Sequence, residues 1–358
     1  MSGQFSHLIA AKVRAVFGPD ALLTSVTTLA GDASTRRYHR VSLKGSGVPA
    51  SLIVMELAAG SSLPLSSEEL VIFKTPPKEL PFLNLHRFLS HIGVRVPALY
   101  GHWEREGILL LEDVGDMPLW NRVRDLSPEA AEMWYQKAID ELLLLQVGGT
   151  EQLDRSCIAF QQRFDTRLYM WEFDHFLEFG LKRRPDIRVP PETVAALRKV
   201  FVEVALVLER QPTCLNHRDY HSWNLMIHEG AVVVIDFQDA LLAPPQYDLA
   251  SLLNDRETDS VIKPDMEARL IGYYRDARAA KLHQSISADE FNEIYLLSAV
   301  QRDLKVVGRF YYLDMVKGKP GYKQFIPPTL RRLKRNLGRL PQLEHTLPWL
   351  AEYYEEMR

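Results

Sequence analysis

Apolar and polar positions along the chain change rhythm once, near residue 113. Before that point the apolar residues come in short runs. Residues 26–30 lead into a polar stretch, 38–43 resume a β-like alternation, and a Gly/Pro turn at 45–49 precedes a third run at 51–57. Helical spacing over 83–92 predicts one helix, and 98–102 and 108–111 predict two further strands. Together these make a mostly antiparallel five-stranded sheet with a helix. Beyond Glu112-Asp113-Val114-Gly115 the period lengthens, predicting amphipathic helices at 128–147, 160–182, 191–210, 265–281, 287–313 and 328–338. Only residues 225–227 and 232–235 interrupt them with strand-like texture. The predicted fold class is therefore α+β: a small antiparallel β lobe (1–113), a hinge, and a large helical lobe (114–358). Ligands commonly bind in the cleft that such a boundary creates.

Composition changes this picture little. The chain has 358 residues, 46% hydrophobic and 25% charged, enough for a substantial core. A net charge of −3 without a dominant basic run argues against nucleic acid as a partner. The basic stretch Arg331-Arg332-Leu333-Lys334-Arg335 reads as a solvated helix face. No signal-peptide pattern opens the sequence and no apolar run reaches the ~20 residues of a membrane span, so a cytoplasmic protein, monomeric or weakly dimeric, is expected. Cys157 and Cys214 lack metal-ligand spacing and read as buried apolar residues.

Chemistry concentrates in His217-Arg218-Asp219-Tyr220-His221-Ser222-Trp223-Asn224, followed by the two short strands and Asp236-Phe237-Gln238-Asp239. Phosphoryl transfer asks a protein for positioning and charge neutralisation. One carboxylate must meet the acceptor hydroxyl, a role Asp219 fits. Oxygen ligands must hold Mg²⁺ against nucleotide phosphates, a role Asn224 and Asp236 fit. The spacing matches the protein-kinase loop H-R-D-L-x-x-x-N with an Asp-Phe-x motif downstream. His217 reads as a core histidine bonded to backbone carbonyls, and His221 as structural. Asp239 reads as an Asx-turn residue, with a second metal ligand as the alternative.

At these residues the chain resembles the aminoglycoside phosphotransferase and choline kinase-like superfamily, relatives of protein kinases. Gly31-Asp32-Ala33-Ser34-Thr35-Arg36-Arg37-Tyr38 is similar to a signature of bacterial anomeric amino-sugar kinases. Leu110 to Asp116, Asp236 to Ala240, Tyr247 to Leu253 and Gln301 to Gly308 look like the same subgroup. That resemblance implies ATP as donor, Mg²⁺ as cofactor and the anomeric hydroxyl of N-acetylmuramate or N-acetylglucosamine as acceptor. It further implies phosphate contacts from the turn holding Gly31 and Ser34, adenine contacts from the backbone near Glu112 and Val114, and a bracing role for Asp248. An aminoglycoside, amino alcohol or hexose acceptor is the alternative, as is a regulator that binds nucleotide without turnover.

Two departures carry consequences. Protein kinases place a lysine on the third strand to hold the α- and β-phosphates, where this chain has Met55. Arg36 or Arg37 is expected to supply the missing charge, since guanidinium pairs bidentately with phosphate. Asn254-Asp255-Arg256 also departs from the subgroup's more usual Arg-Asp. The residues expected to line the acceptor pocket are Glu172, Asn254, Asp255 and Arg302, with a buried structural arginine as the other reading of Arg302.

Overall fold

The computed structural model describes residues 3–29, 36–57 and 77–358. Gly31 and Ser34 lie outside the described residues. The β lobe is one antiparallel sheet of strands β1 (Leu22–Thr28), β2 (Arg37–Lys44), β3 (Ser51–Glu56), β4 (Leu99–Trp103) and β5 (Ile108–Glu112), in the order β1-β2-β3-β5-β4. Strand alternation gives the sheet two apolar faces. Val41, Leu43, Leu52, Val54, Ile108 and Leu110 pack with Ile9 and Val13 of helix α1 (Gly3–Phe17). Met55, Leu109 and Leu111 face the opposite way, into the core shared with helix α2 (Pro81–His91) and the helical lobe. Helix α1 went unpredicted, although Phe5, Leu8, Ile9, Val13, Val16 and Phe17 keep helical spacing and all join the outer-face cluster.

The helical lobe carries α3 (Leu119–Val123), α4 (Pro128–Leu143), α5 (Thr166–His175), α6 (Pro191–Glu209), α7 (Gln246–Leu253), α8 (Pro264–Leu282), α9 (Ala288–Met315), α10 (Ile326–Leu337) and α11 (Leu347–Ala351). The helix predicted at 160–182 is broken at its start. Phe164 N–H donates to Leu242 O at 2.8 Å and Leu242 N–H to Gln162 O at 3.0 Å, so this segment runs beside a strand. Asp165 then caps α5 by accepting from Leu168 N at 3.0 Å. The basic stretch in α10 also differs from its predicted solvated face. Arg332 is buried, donates to Asp303 Oδ1 at 2.7 Å and to Asp255 O at 2.8 Å, and helps fasten α10 onto α9. Both cysteines are buried and unpaired with each other. No helix among the described residues is long and apolar enough to cross a membrane.

Two short strand pairs position the cleft. β6 (Cys214–Asn216) pairs with β9 (Leu241–Ala243), and β7 (Leu225–His228) pairs with β8 (Ala231–Val234) as a hairpin. The first pair brackets the segment 217–240 and the second folds it back, so both ends of the predicted catalytic stretch return to one place.

Candidate active site

The loop after β6 is fastened through its backbone. Asp248, near the start of α7, accepts from His217 N at 2.5 Å and Arg218 N at 3.0 Å. Burial pushes the Asp248 carboxyl up to about 7, with those two amide donors pulling the other way. Asn216 ties the same region together, accepting from Gln146 Nε2 at 3.1 Å and donating to Ala243 O at 2.9 Å. Arg218 (φ 79°) and Asp236 (φ 63°) adopt left-handed backbone. For non-glycine residues this costs about 1 kcal/mol or more, and it persists only where surrounding structure enforces it.

His217 is buried, donates Nε2–H to Ile235 O at 2.8 Å and accepts from Asp219 N–H at 3.3 Å through Nδ1. Accepting at Nδ1 requires the neutral ring, and burial lowers its pKa accordingly. It locks the loop to the strand that delivers Asp236. Asn224 donates from Nδ2 to Asp219 O at 3.0 Å, while Ile235 N–H donates to Asn224 O at 3.0 Å. No donor among the described residues takes Asn224 Oδ1. Asp236 is exposed, and one of its carboxylate oxygens accepts from Gln238 Nε2 at 2.9 Å. Asp219, Asn224 and Asp236 are thus brought together on one loop-and-hairpin frame.

Beneath Asp219 lies a charged layer. Glu172 on α5 is 1% exposed and meets three donors: Arg218 Nη2 at 3.0 Å, Gln301 Nε2 at 2.8 Å and Lys305 Nζ at 3.2 Å. Burial opposes its ionisation, yet Lys305 and Arg218 hold the carboxyl below the usual range. Lys305 also reaches Asp219 Oδ1 at 3.4 Å. The Asp219 side chain is 34% exposed. Its burial raises the pKa, but Lys305, Arg218 and Arg302 outweigh that and hold it well below the ordinary carboxylate value. Lys305 was not singled out from the sequence. Gln301 and Lys305 are four apart on α9, so they share a helix face and both meet Glu172, a spacing that marks them as a pair. Gly308 permits this approach: a Cβ there would stand 2.6 Å from Phe176 Cα.

The residues expected at the acceptor are mostly turned inward. Both Glu172 oxygens are engaged as described, which leaves it a brace under Arg218 and Lys305 with no face open to an acceptor. Asn254 is buried, donating to Tyr295 Oη at 2.6 Å and accepting from Asn336 Nδ2 at 3.3 Å. Asp255 is buried, accepting from Ser222 Oγ at 2.9 Å and Arg256 N at 2.7 Å. Arg302 is buried with Nε lacking a hydrogen-bond partner, and its charge acts on Asp219, Asp248 and Asp255.

At the lobe junction Glu112 pairs with Arg95 at 2.5 Å and accepts from Ala98 N at 2.9 Å. Arg40 of β2 clamps Asp113 at 2.7 Å and Asp116 at 2.5 Å, drawing the sheet onto the hinge. Val114 is buried with Met226 and Val233, against Ile235, as a small apolar shelf between hinge and hairpin. The two arginines considered for the missing lysine part company. β2 and β3 register Arg37 against Glu56 and Tyr38 against Met55. Arg37 pairs with Glu56 at 3.2 Å and is 69% exposed. It shares the strand side of His39 and Val41, which lie toward α1. Tyr38 and Arg40 fall on the alternate side where Met55 stands, and buried Arg36, just before β2, would follow them if the alternation ran on by one residue.

Known proteins resemble this chain throughout. The description of the phosphotransferase enzyme family (APH) matches residues 25–283. The chain is 30% identical over 314 residues to the N-acetylmuramate/N-acetylglucosamine kinase of Pseudomonas aeruginosa, covering 87% of this chain and 83% of that one. A kinase of the same name from Neisseria meningitidis serogroup B is 29% identical over 336 residues, covering 91% and 90%. Among solved structures, the choline kinase LicA from Streptococcus pneumoniae superposes with TM-score 0.58 at 14% identity, covering 92% of this chain and 99% of that one. The ADP-bound aminoglycoside phosphotransferase APH(2'')-Ib gives TM-score 0.58 at 13% identity, covering 92% and 97%. With its two-lobed α+β fold and a family match over residues 25–283, the chain belongs to the phosphotransferase enzyme family.

Proposed function

We propose that this protein is an ATP- and Mg²⁺-dependent kinase that phosphorylates the anomeric hydroxyl of an N-acetylated amino sugar, N-acetylmuramate or N-acetylglucosamine. The observation that carries it is the partly open Asp219 carboxylate, held on one frame with Asn224 and the exposed Asp236. Relatives bearing that kinase name across most of the chain supply the acceptor class.

Asp219 orients the acceptor hydroxyl. As the oxygen bonds to the γ-phosphorus and the bond from that phosphorus to its bridging oxygen breaks, the hydroxyl proton passes to the carboxylate. ADP leaves with the bridging oxygen. Its depressed pKa makes Asp219 a weak base, so its work is chiefly orientation, with proton acceptance late in the step. An anomeric hydroxyl is more acidic than an ordinary alcohol and suits such a base. Asn224 Oδ1 and the Asp236 carboxylate would hold Mg²⁺, which when bound neutralises phosphate charge. Val114, Met226 and Val233 offer an apolar shelf suited to a nucleotide base, and Arg36, if the β2 alternation runs on to it, stands on the strand side that the kinase lysine would occupy. Lys305 places a second cation beside the transferring group. ATP as donor fits the cytoplasmic setting expected from the sequence.

A cationic acceptor such as an aminoglycoside would need an acidic pocket. Of the acids that could form one, Glu172 is taken by Arg218 and Lys305, Asp259 by Arg332 and Arg335, and Asp255 by Ser222 and the Arg256 amide, while Glu257 Oε2 has no hydrogen-bond partner. Product chemistry tests the proposal. Phosphorylation at the anomeric oxygen removes the reducing end, so ADP formation should match loss of reducing sugar one for one. ADP release with the reducing end intact would move the acceptor hydroxyl elsewhere on the sugar. ADP release no higher than a no-acceptor control would remove both sugars.

A further inference from the structure

Beside the catalytic loop lies a cavity of about 300 Å³ lined by Trp223, Arg256, Gly321, Tyr322 and Phe325. Trp223 belongs to the loop itself, between Asp219 and Asn224. The segment carrying Arg256 is registered to that loop by the buried bond from Ser222 Oγ to Asp255 Oδ2, 2.9 Å. The Arg256 guanidinium sits 5.2 Å from the Trp223 ring centroid, 5.4 Å from Phe325 and 5.9 Å from Tyr322. Three rings thus fix the cation in place, and its Nε is buried without a hydrogen-bond partner. Among the described residues no carboxylate lies within ion-pairing distance of it. The neighbouring Asp255 is turned to Ser222 and to the backbone amide of Arg256, and Glu257 interacts with the Trp223 side chain; both acids feel the Arg256 charge from beyond ion-pairing distance.

Elsewhere in this lobe Arg218 is paired with Glu172 and Arg332 with Asp303, whereas buried Arg302 has no ion pair among the described residues. Half-buried Arg256 also lacks one, and it stands at the wall of an open cavity beside the loop that carries Asp219. An arginine stacked on aromatic rings keeps its planar fork pre-organised for a carboxylate, while ring faces suit the C–H surface of a sugar. The two acceptors differ in one charge, since N-acetylmuramate carries a lactyl ether carboxylate that N-acetylglucosamine lacks. We infer that this cavity is an acceptor subsite in which Arg256 reads a carboxylate borne by the amino sugar, so the enzyme favours an acidic acceptor over its neutral counterpart. This inference rests on the amino-sugar kinase reading above.

The test compares kcat/KM for N-acetylmuramate and N-acetylglucosamine in the full-length protein, as wild type, Arg256→Met and Arg256→Lys, with KM for ATP and thermal melting alongside. The expected result is a preference for N-acetylmuramate in the wild type. In Arg256→Met that preference ratio should fall by about 10- to 100-fold, the weight of a charge-assisted hydrogen bond, through KM for the acid sugar. Arg256→Lys should recover part of it, and KM for ATP should hold. An equal loss for both sugars would make Arg256 a structural brace and overturn the subsite. So would an unchanged ratio in a protein that still turns over N-acetylglucosamine, or a rise confined to KM for ATP. Wild type that phosphorylates neither sugar would instead overturn the kinase reading on which the subsite depends.

Discussion

The two flanks of the loop 217–224 differ in how their charges are met. On the Asp219 side, the more nearly saturated of the two, most charges are paired and cross-linked, although Arg218 Nε and Nη1, Gln301 Oε1 and Arg302 Nε stay buried without a hydrogen-bond partner. Asp248 takes two loop amides, His217 joins two segments, and Glu172 collects Arg218, Gln301 and Lys305. On the other side, Trp223, Arg256, Tyr322 and Phe325 surround open space, and Arg256 meets Asp255 and Glu257 only beyond ion-pairing distance. A densely paired network holds geometry of the kind the proposed phosphoryl transfer requires. A cation without a direct counter-charge leaves energy for a ligand to collect, so the proposal assigns rigidity to one flank and selectivity to the other.

The contrast is broken most severely at Glu172. Glu172→Ala leaves Arg218 and Lys305 buried or half-buried without their counter-charge, and is expected to destabilise the fold by about 3–5 kcal/mol. Urea denaturation measures this, and a change under 1 kcal/mol would mean the saturated network is ornamental. Next in size is Lys305→Met, which removes the strongest attraction holding Asp219 ionised. The acid limb of the kcat/KM profile should move up by about one to three pH units. An unmoved limb would separate Lys305 from Asp219.

Acid should also loosen the saturated side first. Burial lowers the pKa of His217 and His221, and that of His175 to about 4. The folded state then binds fewer protons than the unfolded one, so stability rises with pH. The contribution of the neutral rings is complete above the unfolded value of about 6.5 and is lost as pH falls toward the folded values. Glu172 and Asp219, also held low, add a further loss at lower pH. The histidines should therefore pull the melting temperature down below about pH 6.5, while Asp248 and Asp303, pushed up to about 7 and about 6 by burial, pull the other way over the same range. A His217→Gln variant with an unchanged pH profile would contradict the neutral His217 tautomer. The smallest effects separate two neighbours at the start of β2. Arg36→Met should weaken ATP binding by about tenfold, the low end for a charge-assisted contact. Arg37→Met, which removes a surface ion pair, should change it less than twofold. Calorimetric titration distinguishes them, and unchanged affinity in both would leave the missing lysine without a substitute.

The same division governs what the sequence made legible. Asp219, Asn224 and Asp236 sit within eighteen residues of one another, so spacing alone places them on a loop and hairpin. The lobes were legible because period-2 and period-3.6 patterns meet near residue 113. The roles of Glu172, Asn254 and Asp255 were not, because a carboxylate's exposure depends on partners from α9, α10 and the loop, over a hundred residues away for Glu172 and Gln301. Arg332 failed for the same reason: its basic neighbours suggest solvent, whereas Asp303 lies waiting on α9. Helix α1 was readable from its apolar spacing, but its role as cover for the outer sheet face emerges only with the sheet assembled. Arg36 and Arg37 could be told apart only once the fold buried the first and left the second exposed beside Glu56.

The central claim is that Asp219 acts on the acceptor hydroxyl in Mg²⁺- and ATP-dependent transfer to an amino sugar. Its most direct test is ADP release by wild type and Asp219→Asn with each sugar, with nucleotide affinity measured in parallel. The account predicts acceptor-dependent release in the wild type, a fall in kcat of about 10²- to 10⁴-fold in the variant, and equal nucleotide affinity in both. Near-normal turnover by Asp219→Asn would contradict it.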